Sequence, residues 1–158
     1  MKVLIGYDGS ESADAAVTAA GKLLAGAEAV AVVVSVWEPM LVSAMHAARF
    51  GRLAWLWTVA SDGTDADHRS EQHARKLAEH GAQLADTLGF NATAVWVADD
   101  RDVQGAILGE ASKSDVDLVV LGARGLSGIR AFLGSVSNHV LQHSSRPVLV
   151  IPTGAEAR

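Results

Sequence analysis

The chain has 158 residues, of which 49% are hydrophobic and 20% charged, and its formal net charge is −5. This composition excludes a disordered chain and suits a single domain, residues 1–158, with its own hydrophobic core. The absence of cysteine excludes disulfides, zinc–thiolate sites and thiol catalysis, and the scattered basic residues argue against nucleic acid as a partner.

The first predicted elements are a strand and a helix. An apolar run at residues 3–7 ends at Asp8-Gly9, and a helical pattern follows. We expect Ser10 to cap this helix and Gly26 to end it. The residues expected on its buried face are spaced by three and four: Ala13, Ala16, Val17, Ala20, Leu23 and Leu24.

Residues 29–37 form a continuous apolar run rich in β-branched residues, which is typical of a strand covered on both faces. Residues 38–60 are apolar without a regular period, so we expect 38–64 to be a variable segment, a loop with a short helix. Phe50, Trp55 and Trp57 lie there and would form either a partner contact or packing beneath the loop, and we favour the contact.

The apolar stretch at 53–60 is too short to span a bilayer. The residues after Lys2 do not resemble a secretion signal. We therefore expect a soluble cytoplasmic protein that does not associate with membranes.

The second half of the chain alternates helices and strands. A helix is expected from Asp65 to Gly89, with strands at 92–98, 117–121 and 147–151 and a short helix at 135–144. Between the first two of these strands, Asp102 is expected to cap a helix. The residues expected on the buried faces of the two longer helices are Ala74, Leu77, Ala78, Gly81, Leu84, Ala85 and Leu88, then Val103, Ala106, Ile107 and Ala111.

This alternation predicts an α/β fold: an open, Rossmann-like sheet of five parallel strands in the order 3-2-1-4-5, with helices on both faces. In such sheets, ligands bind beyond the carboxyl ends of the strands where the strand order reverses. The first and fourth strands flank that point, and the loops YDGS and GARGLSG follow them. The glycine-rich loop is therefore the expected ligand site.

Glycines in this loop allow backbone N–H groups to approach a ligand, and Gly134-Ser135 begins a helix whose free N–H groups favour an anion. Ser137 adds a second hydroxyl, and Asp8 could reach a ribose hydroxyl or a metal ion on the phosphates. The chain has neither the lysine of a P-loop nor G-x-G-x-x-G after the first strand. The alternative is a plain connector, with Asp8 as a turn residue.

The segments VLIGYDGSE, GARGLSG, LGSVSNHVL and PVLVIP resemble the universal stress protein family over nearly the whole chain. ATP-binding members of that family carry G-x-x-G, nine residues, and then G-S or G-T. Here eight residues separate Gly125 from Gly134.

The resemblance implies an ATP site with magnesium on the phosphates. It places Asp8 near the ribose and metal, the backbone of Val36 against adenine, and Arg124 as an extra phosphate contact. The remaining ribose- and phosphate-holding residues that it implies are Gly122, Gly125, Gly134, Ser135, Val136 and Ser137. It also implies a homodimer through the last strand, residues 147–152.

We therefore expect an adenine-nucleotide-binding, regulatory stress-response protein that acts on another protein through its conformation or oligomeric state. Efficient ATP hydrolysis is not expected, because no general base is evident. The alternatives are a nucleotide-free dimeric scaffold of the same fold and an enzyme that makes or breaks an adenylate bond.

Three other groups of polar residues are weaker candidates. His139 and His143 have a metal-chelating spacing but no evident third ligand. The remaining histidines considered, His68, His73 and His80, are expected in solvent. So is the acidic cluster, in which Asp102 caps a helix and Asp99 and Asp100 lie in a solvated turn.

Overall fold

The computed structural model describes residues 1–48, 56–99, 102–123 and 133–152, with the side chains of 46–48 and 56–64 left out of the description. The elements are β1 (Lys2–Gly6), α1 (Glu11–Leu23), β2 (Val30–Trp37), α2 (Met40–Ala48), α3 (Leu56–Thr87), β3 (Asn91–Ala98), α4 (Val103–Lys113), β4 (Leu118–Gly122), α5 (Ser135–His143) and β5 (Val148–Ile151).

The five strands form one parallel sheet in the order β3-β2-β1-β4-β5, which confirms the predicted fold and strand order. The strand order reverses between β1 and β4. The chain moves outward in one direction through β2 and β3, then returns to β4 and continues to β5. This reversal leaves a crevice at the carboxyl ends of β1 and β4.

The core has two layers because side chains alternate across each strand. Val3 and Ile5 of β1 are fully buried in the cluster that includes α1 and α3. Leu4, between them, is fully buried in the opposite cluster with α4 and α5. The continuous apolar run of this strand therefore reflects a sheet covered on both faces.

Helix α1 begins as predicted. The Ser10 hydroxyl accepts a hydrogen bond from the Ala13 N–H at 3.2 Å, and Gly26 follows the helix with φ of 84°. The prediction that Leu23 lies on the buried face was wrong, because its relative exposure is 65%. The helix ends at this residue, and Leu24 packs against the core instead.

The segment after β2 is more helical than predicted. Helix α2 occupies Met40–Ala48, and α3 begins at Leu56 rather than Asp65. The hydrophobic periodicity did not predict this earlier start, because the apolar residues at the beginning of α3 do not repeat at helical spacing on one face. The Met40 N–H donates to the Asp67 carboxylate at 2.6 Å, so a residue of α3 caps α2. None of the helices in the described ranges has the length and apolar character needed to cross a membrane.

The acidic cluster divides into two parts. Asp102 accepts from the Gly105 N–H at 2.6 Å and caps α4 as predicted. Asp99 is not in a solvated turn, because its relative exposure is 2%. It directly follows β3, and its N–H donates to the Trp37 carbonyl at 2.7 Å. Asp100 lies outside the described residues.

Candidate functional site

A cavity of about 380 Å³ lies at the carboxyl ends of β1, β2 and β4. It is bounded by the starts of α1, α4 and α5 and by one face of α3. The residues that line it are Gly6, Tyr7, Asp8, Ala13, Val34, Ser35, Val36, His73, Leu77, Val103, Ile107, Leu121, Gly122, Gly134, Ser135, Val136 and Ser137. Every predicted site residue within the described ranges is therefore in this lining.

The start of α5 presents its first backbone N–H groups to this cavity. Its N-cap is Gly134, which makes no side-chain cap, whereas Ser10 caps α1 and Asp102 caps α4. Among the described residues, the N–H groups of the first turn have no hydrogen-bond acceptor. Free N–H groups and the positive end of the helix dipole favour an anion at this point.

The first turn of α5 is tied to the end of β4. The Ser137 hydroxyl donates to the Gly122 carbonyl at 2.6 Å, and the Gly134 N–H donates to the Ala123 carbonyl at 2.7 Å. The Ala123 N–H in turn donates to the Ile151 carbonyl of β5 at 2.7 Å. These bonds fix the helix start relative to the sheet, and they use the hydroxyl hydrogen of Ser137, so this hydroxyl can offer a ligand only its oxygen lone pairs.

The backbone of Val36 has a free hydrogen-bonding edge. In β2, the Val34 carbonyl accepts from the Tyr7 N–H, and the Trp37 carbonyl accepts from the Asp99 N–H on the other side. Because successive residues of a strand point to alternate sides, the N–H and C=O of Val36 point toward β1. Pairing with β1 ends at Gly6 opposite Val34. Val36 therefore offers one donor and one acceptor side by side, with no backbone partner among the described residues.

Gly122 lines the cavity, but another contact requires it to be glycine. A Cβ atom there would lie 2.5 Å from the Ser12 carbonyl oxygen and would also collide with the Ser12 hydroxyl. The first turn of α1 thus packs directly on the end of β4. The absent side chain serves helix packing, whatever the cavity binds.

Asp8 occupies the turn between β1 and α1. Its Oδ1 accepts from the Ser10 N–H at 3.0 Å, which forms an Asx turn. The next residue, Gly9, has φ of 76°, and a Cβ atom there would lie 2.7 Å from Leu77 Cδ2. The turn therefore lies against α3, with the Asp8 carboxylate at the cavity.

Tyr7 and Ser35 are two buried polar residues that line the cavity, and the sequence analysis did not predict them. The Ser35 hydroxyl donates to the Tyr7 carbonyl at 2.6 Å, and the Tyr7 hydroxyl donates to Asp14 Oδ1 at 2.5 Å. Burial, and then the hydrogen bond to Asp14, raise the pKa of Tyr7 far above its usual range. A serine inside an apolar strand just before Val36 was the signal that could have located this pair.

His73 and Leu77 bring α3 into the site, which was also missed. They are four residues apart and therefore share one face of the helix. His73 is exposed, as predicted, but it lies at the cavity rather than only in solvent. No local sequence pattern connects α3 to a loop more than sixty residues earlier, because that proximity depends on the crossover.

Some of the predicted residues lie outside the part of the chain that the structure describes. Arg124 and Gly125 lie outside the described residues, as do Phe50, Trp55 and the side chain of Trp57.

His139 and His143 stack with ring centroids 4.0 Å apart and planes 17° apart. Parallel rings at this distance do not direct their nitrogens toward a common metal ion. In the described ranges, no three potential metal-binding side chains cluster.

Comparisons with known proteins agree with the geometry. The sequence profile of the Universal stress protein family matches residues 1–152. Universal stress protein YxiE of Bacillus subtilis is 35% identical over 77 residues, 48% of this chain and 51% of that protein. The match thus spans about half the length of that relative.

Two solved structures are similar throughout. A universal stress protein in complex with cAMP has a TM-score of 0.65 and 25% identity, with 97% of each chain covered. The universal stress protein of Archaeoglobus fulgidus in complex with dAMP has a TM-score of 0.66 and 17% identity, covering 96% of this chain and 97% of that one. With the profile match over residues 1–152 and the sheet order found here, these likenesses show that the chain belongs to the universal stress protein family.

Proposed function

We propose that the protein binds an adenine nucleotide in this cavity and acts as a regulatory protein in a stress response. The observation that carries the proposal is the pairing of two features across one cavity. The uncapped start of α5 favours an anion, and the free backbone edge of Val36 favours a flat base with adjacent donor and acceptor groups. Both solved relatives described above hold an adenine nucleotide.

The edge of Val36 suits adenine better than guanine. Its N–H can donate to N1 of adenine, and its C=O can accept from the N6 amino group. Guanine presents a donor at N1 and an acceptor at O6, so both contacts would be reversed. Each buried donor or acceptor left mispaired costs about 1–3 kcal/mol, so two mispaired groups are enough for at least tenfold discrimination.

The ribose and phosphates would extend from Val36 toward α5. Asp8, at the end of β1 between these points, would accept a ribose hydroxyl, and Gly122 and Gly134–Ser137 would surround the phosphates. Arg124 and Gly125, in the same loop of the sequence, are proposed as additional phosphate contacts.

ATP with magnesium is the proposed ligand. Magnesium binds oxygen donors and is commonly held by phosphates and water, so it would neutralise the phosphates without a protein cage. We propose regulation rather than efficient hydrolysis. Among the described lining residues Asp8 is the only carboxylate, and it already accepts the Ser10 N–H. It is not held ready to activate water.

The proposed output is a change in conformation or oligomeric state. β5 is an edge strand of the sheet, so residues 147–152 could pair with a second copy. The Ala123 N–H donates to the Ile151 carbonyl of that strand, and the carbonyl of the same residue accepts from Gly134 at the start of α5. Nucleotide at α5 would thereby be linked to the dimer edge.

A nucleotide-free scaffold of the same fold is the second candidate. It is favoured by the structural roles of two site residues: Gly122 packs against Ser12, and Asp8 forms the Asx turn. Both residues would be needed in a protein that binds no ligand.

Two measurements separate these functions. Mass spectrometry of small molecules released from the purified protein should identify an adenine nucleotide. Calorimetric titration with ATP and with GTP, each with magnesium, should show at least tenfold tighter binding of ATP. Equal affinities would reject recognition by Val36. No uptake of any adenine nucleotide by folded protein would leave the scaffold.

A further inference from the structure

His73 holds a distinctive position in the cavity. Leu77, one turn later on α3, lies against the Gly9 turn at the end of β1. Helix α3 leads from β2 to the start of β3 in a parallel sheet, so it runs from the carboxyl edge of the sheet toward the amino edge. His73 therefore lies farther beyond the sheet edge than Leu77, by about 6 Å at the helical rise of about 1.5 Å per residue.

This position faces the middle of the proposed ligand. The Gly9 turn also carries Asp8, which lines the cavity between the Val36 edge and α5. A side chain on α3 above this turn is on the opposite face of the sheet from α4 and α5. A nucleotide extending from β2 to α5 would pass between His73 and these helices at its ribose and first phosphate.

His73 can contribute positive charge to a cavity that would bind an anion. None of the described lining residues is lysine or arginine, and Asp8 contributes a negative charge. His73 is the described lining side chain that can become positive near neutral pH. An anion bound at α5 would therefore gain from a protonated imidazole.

We infer that His73 contacts the first phosphate of the bound nucleotide and selects adenine ligands that carry a phosphate. This inference rests on the proposed function and adds a residue from α3 to the site. The imidazole donates to a phosphate oxygen or, when positive, pairs with it, while the base remains at Val36.

Other charges near His73 belong to the β1–α1 turn, α1, the end of β3 and α3 itself. The β1–α1 turn and α1 contribute Asp8, Glu11 and Asp14, of which Asp14 is bound to Tyr7. The described side chains of α2 contribute none, and β3 ends at the buried Asp99. On α3 itself, the neighbouring charged or titratable residues within two turns are Asp67, His68, Arg69, Glu71, Arg75, Lys76, Glu79 and His80. Of these, Glu79 pairs with Arg75 and Asp67 caps α2.

The test compares AMP with adenosine, which lacks the phosphate. His73→Gln should weaken AMP binding by about threefold to fivefold, as expected for a partly exposed charge pair. It should leave adenosine binding unchanged within error. His68→Gln is the matched control, because His68 is exposed on the same helix and does not line the cavity.

A pH series supplies an independent readout. The wild-type advantage over His73→Gln for AMP should grow from about pH 8 to about pH 6, because a lower pH favours the positive form of an imidazole. The phosphate of AMP keeps at least one negative charge over this range, so a positive imidazole has an anion to pair with throughout. His73→Lys should retain the advantage throughout this range.

The outcomes distinguish the two proposals. Wild-type protein that binds neither AMP nor adenosine overturns the proposed function itself. Wild-type protein that binds AMP with an affinity insensitive to His73→Gln overturns only the role of His73. An equal loss of AMP and adenosine binding also overturns it, because the residue would then act on the nucleoside or on the fold.

Discussion

The Ser137 hydroxyl donates a hydrogen bond to the Gly122 carbonyl at 2.6 Å, which joins the first turn of α5 to the last residue of β4. This bond spans fifteen residues of sequence and joins two residues that line the cavity. It holds the free N–H groups of α5 at a fixed distance from the sheet. The geometry of the anion site therefore depends on a bond between two residues that both line it.

Ser137→Ala should remove this bond and lower the free energy of unfolding by about 1 kcal/mol, because Ser137 is buried and the carbonyl loses its partner. Urea unfolding measures the change. Ser112→Ala is the control, since that exposed hydroxyl donates only within α4, to the Leu108 carbonyl. Equal losses in the free energy of unfolding would show that the bond from α5 to β4 stabilises the fold no more than an ordinary bond within a helix.

Gly122→Ala should destabilise the fold by about 1–3 kcal/mol, because the added methyl would overlap the backbone of Ser12. Gly109→Ala, in α4, should instead stabilise it by about 0.5–1 kcal/mol, since a Cβ there meets nothing within 4 Å. Thermal or urea unfolding of both variants checks the contrast. A stable Gly122→Ala protein that has lost only nucleotide binding would contradict the packing role.

Gly134→Ala should change stability by less than about 0.5 kcal/mol, because φ of −60° and ψ of 153° suit any residue. Nucleotide affinity should fall by about threefold or more, roughly 0.7 kcal/mol, since a methyl group at the N-cap would crowd an anion approaching the N–H groups. Calorimetry and circular dichroism measure the two effects. If melting collapses while affinity in the folded protein is retained, the glycine serves the fold.

Tyr7 is the only tyrosine in the chain, so its ionisation can be followed by the ultraviolet absorbance of tyrosinate. Burial and the hydrogen bond to Asp14 raise the pKa of Tyr7 in the folded protein. In the denatured chain the tyrosine is half ionised near pH 10, and at that pH the native protein should show no tyrosinate. The stabilisation is fully present below the unfolded pKa and is lost as the pH rises above it.

Tyr7→Phe removes this linkage. The variant should be less stable than wild type at neutral pH, by about 1 kcal/mol for the lost hydrogen bond. The difference should shrink above pH 10, as wild type loses the contribution of its buried phenol. Urea unfolding from pH 7 upward measures both proteins, and a difference that does not vary with pH would refute the linkage.

Much of the fold was readable from local patterns. Continuous apolar runs identified all five strands because a parallel sheet covered on both faces needs no polar side, and β4 and β5 were placed to within one residue. Helix starts were readable at Ser10 and Asp102, since caps act over three residues. The prediction of a ligand loop after β1 and β4 followed from the strand order alone.

The tertiary structure decided which distant segments contact each other and which of their residues are buried. Leu23 fits the apolar period of α1 but lies in solvent because the helix ends there. Asp99 directly follows β3 and is buried, with its backbone N–H bound to the Trp37 carbonyl of β2. Gly122 was predicted from ligand chemistry, and its packing on Ser12 emerged only when α1 and β4 were adjacent. His73 and Tyr7 joined the site for the same reason. Sequence patterns report periodicity and capping over a few residues, whereas a cavity is formed by elements that chain crossovers bring together.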